Sequence, residues 1–257
     1  GGLSYYDHPK ADSKVGGTYG LDGIIPLTES FGGYGAGKLN HISGGTQSYA
    51  SIGVYRMASP FADHGLERVG GGAFYDWFSD SRGEDLDLTM YRFYLGYAVT
   101  ENWSVGVRYI ETGEDENNPL YFRGNNQGAV GNFYMTQEAA AYLAGYIGEN
   151  LVNVAVGYRD KINTTYVDLS LRRPVGENLY AFVDTHYEDR GGWAAITGLE
   201  FRFGRGGSSC GCGHRTRTPW DDPTIADAFN WGEARTMGTV VDVNEQPQES
   251  EEAPEDK

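Results

Sequence analysis

From residue 89 to residue 203 the chain alternates apolar and polar positions with a period of two, segment after segment. Thr89 to Val99 sets Tyr91, Phe93, Leu95, Tyr97 and Val99 against Arg92, Tyr94, Gly96 and Ala98. Trp103 to Ile110 sets Trp103, Val105, Val107 and Tyr109 against Ser104, Gly106 and Arg108. Thr165 to Val175 sets Val167, Leu169 and Leu171 against Tyr166, Asp168, Ser170 and Arg172. Leu179 to Tyr187 sets Leu179, Ala181, Val183 and Tyr187 against Asp184 and His186. The closing run, Trp193 to Phe203, sets Trp193, Ala195, Leu199, Phe201 and Phe203 against Ala194, Gly198, Glu200 and Arg202. Successive side chains of a strand point to opposite faces. Each run therefore has one apolar face with aromatic ends and one face that is charged or small. Leu151 to Arg159 carries Val152, Val154, Val156 and Tyr158 in the same way, and Phe133 to Ile147 is expected to turn Ala140, Tyr142, Ala144 and Tyr146 outward.

The front half repeats the pattern less cleanly, with strands expected at 18–29, 31–42, 46–58 and 67–79. Leu21, Ile25 and Leu27 share one face of the first, and Ala73, Tyr75 and Trp77 oppose Phe74, Asp76 and Phe78 on the last. Leu3 to Asp7 supplies one more strand, for about twelve; without it and the Gly-rich Phe31–Ile42 segment the count is about ten. Glu101-Asn102, Glu149-Asn150 and Glu177-Asn178 make three short turns at one end. The connections between them, 79–87, 111–132, 160–164 and 188–192, are longer and more polar.

No apolar run approaches the roughly 20 residues of a membrane helix. The pattern instead matches an all-β architecture, a transmembrane antiparallel up-and-down β-barrel over 18–204 with 1–17 as an N-terminal segment. Lipid meets the apolar face, the lumen holds the polar one, and aromatic girdles mark the interfaces. Tyr97, Trp103, Tyr109, Tyr146, Tyr187, Phe201 and Phe203 are the expected girdle. Arg92, Arg108, Arg172, Arg202, Asp76, Asp168, Asp184 and Glu200 are the expected lumen lining. A secreted β-sandwich is the soluble alternative, because sandwich strands also alternate.

The alternating strands, the Glu-Asn-Trp/Leu turns and the closing Leu199-Glu200-Phe201-Arg202-Phe203 resemble Gram-negative outer-membrane β-barrel proteins, porin-like in character. The resemblance implies the bacterial outer membrane as location and a terminal Phe as assembly signal. Here Phe203 is internal, and an extension follows it over 205–257. That extension opens as the flexible linker Gly204 to Gly213. Asp222-Pro223 then starts a short helix with Ile225, Ala226, Phe229 and Ala234 on its apolar side. From Gly206 onward there are 11 acidic and 4 basic residues. The extension is expected to be an acidic periplasmic tail.

Charge narrows the partners. With 20 basic and 36 acidic residues among 257, the formal net charge is −16, which argues against nucleic acid. The chain begins at Gly1, read as a mature form with its leader removed. Membrane lipid is the expected partner, with other envelope proteins held through 205–257 and homo- or hetero-oligomers as further options. No cofactor is expected.

Three motifs carry candidate chemistry. Asp184 and His186, with Asp85 and Asp87 at the same end, resemble the omptin proteases, in which an Asp/His pair faces an Asp pair; a histidine held by a carboxylate can act as general base. Cys210, Cys212 and His214 carry metal-capable atoms, but a closed zinc site wants four ligands, so a local disulfide or thiol pair is the simpler reading. Gly32 to Lys38 nearly spells a phosphate loop, yet Leu39 stands where Ser or Thr should ligate magnesium. Three functions therefore stand side by side. One is a narrow porin-like passive channel, or barrel subunit of an outer-membrane assembly. Another is a structural anchor gripping partners through its tail and loops. The third is an omptin-like surface protease.

Overall fold

The structure, a computed structural model, describes residues 1–8, 11–28, 30–42, 45–59, 61–63, 65–81, 86–112, 118–124, 127–133, 137–160, 163–176, 179–189, 192–201 and 242–244. Its strands are β1 (Gly2–His8), β2 (Ala11–Pro26), β3 (Phe31–Ile42), β4 (Gly45–Arg56), β5 (Val69–Asp80), β6 (Leu86–Ala98), β7 (Trp103–Thr112), β8 (Asn118–Gly124), β9 (Gln127–Phe133), β10 (Glu138–Ile147), β11 (Asn150–Arg159), β12 (Thr164–Pro174), β13 (Leu179–Glu188), β14 (Gly192–Phe201) and β15 (Asp242–Asn244). Twelve of them close into one barrel, in the order β1-β14-β13-β12-β11-β10-β7-β6-β5-β4-β3-β2. Every neighbouring pair is antiparallel. Leu3 to Asp7 lies within β1, and the glycine-rich Phe31–Ile42 segment is the barrel strand β3.

Closure needs the first and last strands to meet, and the sequence provides for it with glycine. Gly2 pairs with Gly198. A Cβ on Gly198 would lie 2.3 Å from the Gly1 carbonyl oxygen and 2.5 Å from the Gly2 Cα. The seam is locked at its end by the Gly1 amino group, which donates to the Leu199 carbonyl at 2.9 Å.

Because the strand number is even, Gly2 and Phe201 finish at the same end, the turn rim. The connections 27–30, 99–102, 148–149 and 175–178 lie there. Threonine builds two of them: the Thr28 hydroxyl accepts from the Phe31 amide at 3.0 Å and the Thr100 hydroxyl from the Trp103 amide at 3.1 Å. Gly148 has φ 62°, a left-handed conformation that favours glycine. The opposite loop rim is less uniformly long than the sequence suggested, since β1–β2 and β3–β4 also turn tightly there. Its length is concentrated in one excursion between β7 and β10. That stretch, read in the sequence as a polar loop, contains the hairpin β8–β9, and Phe133 belongs to β9 rather than to the strand starting at Glu138. β15 adds to the hairpin as a third strand. Asp242–Asn244 therefore lies against the loop-rim excursion, and the rest of the extension over 205–257 lies outside the described residues.

The burial pattern is inverted relative to a soluble protein. Leu95, Val107 and Leu199 are 56%, 55% and 52% exposed, whereas Arg92, Arg108 and Asp168 are 1%, 2% and 1%. A secreted sandwich would bury the first set and wet the second, so that alternative is overturned. We expect Val107→Arg, in mid-strand on the outer face, to destabilise the barrel by about 2–4 kcal/mol, and Trp103→Arg at the rim by about 0–1 kcal/mol. Equilibrium unfolding from lipid vesicles measures both. Equal costs would contradict the outward assignment.

One strand reverses the expected facing. Ala140, Tyr142 and Ala144 are buried in the interior, and Tyr146 pairs in register with the buried Leu151, so it belongs to the inner face and not to the outer girdle. The cause is local composition: Ala139, Ala141, Leu143 and Gly145 make the other face of β10 equally small and apolar. Glu138 carries the only charge, and it shares the parity of Tyr142.

Candidate functional site

The inner face is organised in rows of residues that pair across strands, and one row explains the central cluster. Arg108 of β7 pairs with Ala140, Ala140 with Gly157, and Gly157 with Tyr166. Ala140 and Gly157 leave a gap two strands wide. Arg108 reaches into it from one side and Tyr166 from the other, its ring so close over Gly157 that a Cβ there would lie 2.2 Å from it. Arg108 Nη2 donates to Tyr166 Oη at 2.8 Å, to Glu138 Oε1 at 3.1 Å and to Asp168 Oδ2 at 3.1 Å. Tyr166 Oη donates to Glu138 Oε1 at 2.6 Å.

The cluster continues toward the loop rim. Arg159 joins Glu138 at 3.3 Å and Glu188 at 3.1 Å. Asp168 and His186 pair in register, and His186 Nδ1 lies 2.6 Å from Asp168 Oδ1. All these side chains are buried. An ion taken out of water costs several kcal/mol unless paired and hydrogen-bonded, and here every carboxylate meets a guanidinium or an imidazole.

Two smaller clusters flank it. Arg92 grips Asp76 through Nε at 2.7 Å and Nη2 at 3.1 Å. Ser51 donates to Asp76 at 2.6 Å, and the Phe74 ring lies 4.3 Å from the guanidinium. Nearer the turn rim, Arg172 holds Asp184 at 2.6 and 3.0 Å and Glu200 at 3.6 Å. It also hydrogen-bonds Ser170. On β1 to β4 uncharged groups form a chain, in which Ser4 and Thr18 donate to Asn40 and Asn40 donates to Gln47, while Asp22 and Lys38 share the inward parity of Thr18 and Asn40.

Toward the turn rim the interior becomes aromatic. Tyr34, Tyr55, Phe74 and Tyr94 are buried together with Ala58 and Ala98. Phe74 stacks on Tyr94 with centroids 5.6 Å apart. Ala58 and Ala62 belong to the long 57–68 connection, which tucks beneath the barrel wall; Arg68 pins it by donating to the carbonyls of Ala62 at 3.2 Å and Val99 at 3.3 Å.

The structure thus brings Arg92, Arg108, Arg172, Asp76, Asp168, Asp184 and Glu200 to the interior, while Arg202 lies outside the described residues. Tyr97, Tyr109, Tyr187 and Phe201 are exposed on the outer face, Trp103 is half-buried there, and Phe203 lies outside the described residues. Sequence reasoning missed Glu138, Arg159 and Glu188. Each ends a strand at the loop rim, where a charge looks like the first residue of a solvated loop.

Among the described residues the expected Asp184–His186 pair does not form. Asp184 is bound to Arg172, and His186 turns instead to Asp168 on the adjacent strand. A same-strand i, i+2 pair competes poorly with a partner directly opposite in register. His186 is buried. Asp85, Cys210, Cys212 and His214 lie outside the described residues, and Asp87 is in β6. Gly32 to Lys38 lies in strand β3, without the strand-to-helix turn of a phosphate site.

No protein-family model matches the sequence, and no curated protein matches it. Solved structures do resemble the fold. The outer membrane phospholipase (OMPLA) dimer of Salmonella typhi with bound calcium is 13% identical with a TM-score of 0.51, covering 78% of this chain and 89% of that one. Outer membrane phospholipase A from Escherichia coli is 12% identical with the same TM-score and coverage. A KdgM porin is 12% identical with a TM-score of 0.48, covering 79% of this chain and 99% of that one. At these identities the phospholipases speak for the fold alone. With its closed wall, apolar exterior and charged interior, the chain is a twelve-stranded β-barrel of the outer-membrane type.

Proposed function

We propose that this barrel sits in the bacterial outer membrane and is a narrow porin-like passive channel whose bore is lined by ladders of paired charge. The observation that carries the reading is the contiguous run of inward ion pairs from β7 through β10, β11, β12, β13 and β14. A sealed barrel needs only filled space, and apolar side chains fill it at lower cost than buried ions. Charged rings on a bore tune which ions pass. In the three clusters Asp76, Glu138, Asp168, Asp184, Glu188 and Glu200 face Arg92, Arg108, Arg159 and Arg172. The carboxylates are in excess, so a conducting form prefers cations.

Planar-bilayer recordings of the full chain and of residues 1–201, which contain all twelve barrel strands, test this. The expected result is stepwise conductance, larger in the shorter form, with a reversal potential in a salt gradient on the cation side. Silence from both forms rejects the channel.

A second reading, a structural anchor, draws on the burial of the same charges and on the aromatic floor beneath them. A water-filled pore wets its lining, and most of this lining is buried, with Asp184 and Glu200 partly exposed. Co-purification of a stoichiometric envelope protein, lost on deleting 202–257, supports the anchor over the channel.

A further inference from the structure

We propose that water and small monovalent cations enter the barrel from the turn rim along β13, β14, β1, β2 and β3, and that a belt of uncharged side chains centred on Asn40 is the barrier across that passage. The inference rests on the channel reading and adds the path and the residue that closes it.

Burial is uneven around the ring. From β4 to β12 the inner face is filled by its own large side chains: Arg92, Tyr94, Arg108, Tyr142, Tyr166 and Arg172 are all buried. The glycines among them give no room, because rings lie over them. A Cβ on Gly106 would strike the Tyr142 ring, and one on Gly157 the Tyr166 ring. On the other five strands the inward positions nearer the turn rim are small or half-buried. Asp22 pairs with Ala36, and Gly20 with Lys38 one inward step further on. Asp22, Ala36 and Lys38 are half-buried. Gly2, Gly198 and the half-buried Phe182 form one row across β1, β14 and β13. The Asp184 and Glu200 side chains remain 16% and 19% exposed although Arg172 binds both. Water therefore stands against this part of the inner wall.

Toward the loop rim the same strands close. Thr18, Asn40 and Gln47 share one register row, the next inward step after Gly20, Lys38 and Tyr49. All three are buried, as is Ser4, and so are Ala194 and Ile196 on β14. Asn40 is the hub. Ser4 and Thr18 donate to its side-chain carbonyl at 2.9 and 3.1 Å, and its amide donates to Gln47 at 3.3 Å.

This belt is easier to open than the charged clusters. A neutral hydrogen bond contributes less to stability than a hydrogen-bonded buried charge, and a buried charge that loses its partner is heavily penalised. Opening at Asn40 parts neutral hydrogen bonds, whereas a path through the clusters of β7 to β13 parts ion pairs. The chemistry of the belt also suits a cation. The Asn40 and Gln47 carbonyls and the Ser4 and Thr18 hydroxyls offer acceptor oxygens that can replace water around it. The charges met first, Asp22, Asp184 and Glu200 with Lys38 and Arg172, leave one carboxylate in excess.

Bilayer recordings of the full-length chain in potassium chloride test the barrier. Asn40→Ala is expected to raise the unit conductance, and so is Gln47→Ala, which opens the belt from its other end. Ser104→Ala, which removes a buried neutral hydrogen bond on β7, is expected to leave it unchanged. Conductance unaltered by both belt variants, or raised as much by Ser104→Ala, overturns the belt and leaves the channel reading standing. Silence from every form removes the channel reading and this inference with it. The path is read without conductance. In protein with Cys210→Ser and Cys212→Ser, Lys38→Cys is expected to react with a small water-soluble methanethiosulfonate much faster than Ser4→Cys. Adding Asn40→Ala is expected to speed the reaction of Ser4→Cys. Equal rates at the two positions, or no change on adding Asn40→Ala, overturn the inference.

Discussion

Replacing Arg108 with methionine is expected to destabilise the barrel by about 3–5 kcal/mol, the cost of removing one partner from a buried charge network. Arg108 touches Glu138, Asp168 and the Tyr166 hydroxyl through one terminal nitrogen. Its loss takes one partner from each of two buried carboxylates at once. Arg159 still answers Glu138, and His186 still answers Asp168, so the barrel should fold but unfold at lower denaturant. Urea titration of protein inserted in vesicles, followed by tryptophan fluorescence and by the gel-mobility shift on heating, gives the value. A loss under about 1 kcal/mol, the scale of an exposed pair, would mean that water reaches this cluster and that the lining is not dry.

The second large effect distinguishes pairing from mere charge. Asp76→Leu alone should cost about 3–5 kcal/mol, because Arg92 then faces Phe74 and Ser51 without its bidentate carboxylate. Asp76→Leu with Arg92→Met should recover most of that loss and fall near neutral, since well-packed apolar residues commonly replace a buried ion pair without penalty. The double-mutant cycle, measured by the same unfolding assay, isolates the coupling. If the double variant is as unstable as the single one, the pair is fixed by its wider surroundings and not by mutual neutralisation.

The fold was largely legible because lipid makes the alternation obligatory. In β12, Val167, Leu169 and Leu171 could only face out once Asp168 and Arg172 faced in. The same held for β6, β7, β13 and β14. Legibility failed where alternation carries no contrast. β10 is alanine, leucine and glycine on one face and alanine and tyrosine on the other, and its parity was set by a single glutamate at its tip. It failed also at strand ends, where Glu138, Arg159 and Glu188 have the composition of loops but the register of lining. β8 and β9 were hidden for a related reason: an excursion hairpin away from the wall has no lipid to enforce a pattern.

At the site, individual lining residues were readable and their partners were not. Parity says which way a side chain points. It does not say that Asp184 answers Arg172 instead of His186, which depends on which strands are neighbours and on their stagger. The bridge from Arg108 to Tyr166 depends on two absences, the missing side-chain bulk at Ala140 and Gly157.

The ring is completed by its most distant parts in sequence. The bond from the Gly1 amine to the Leu199 carbonyl joins groups 198 residues apart, and contacts of such separation form slowly because a long loop must be closed first. Until that moment β1 and β14 each present a bare edge able to recruit a foreign strand. A ribosome cannot release a finished cylinder piece by piece. The cell must keep the whole polypeptide from self-association until its last hairpin arrives, and a holdase that covers the two ends of the unzipped sheet would protect it most.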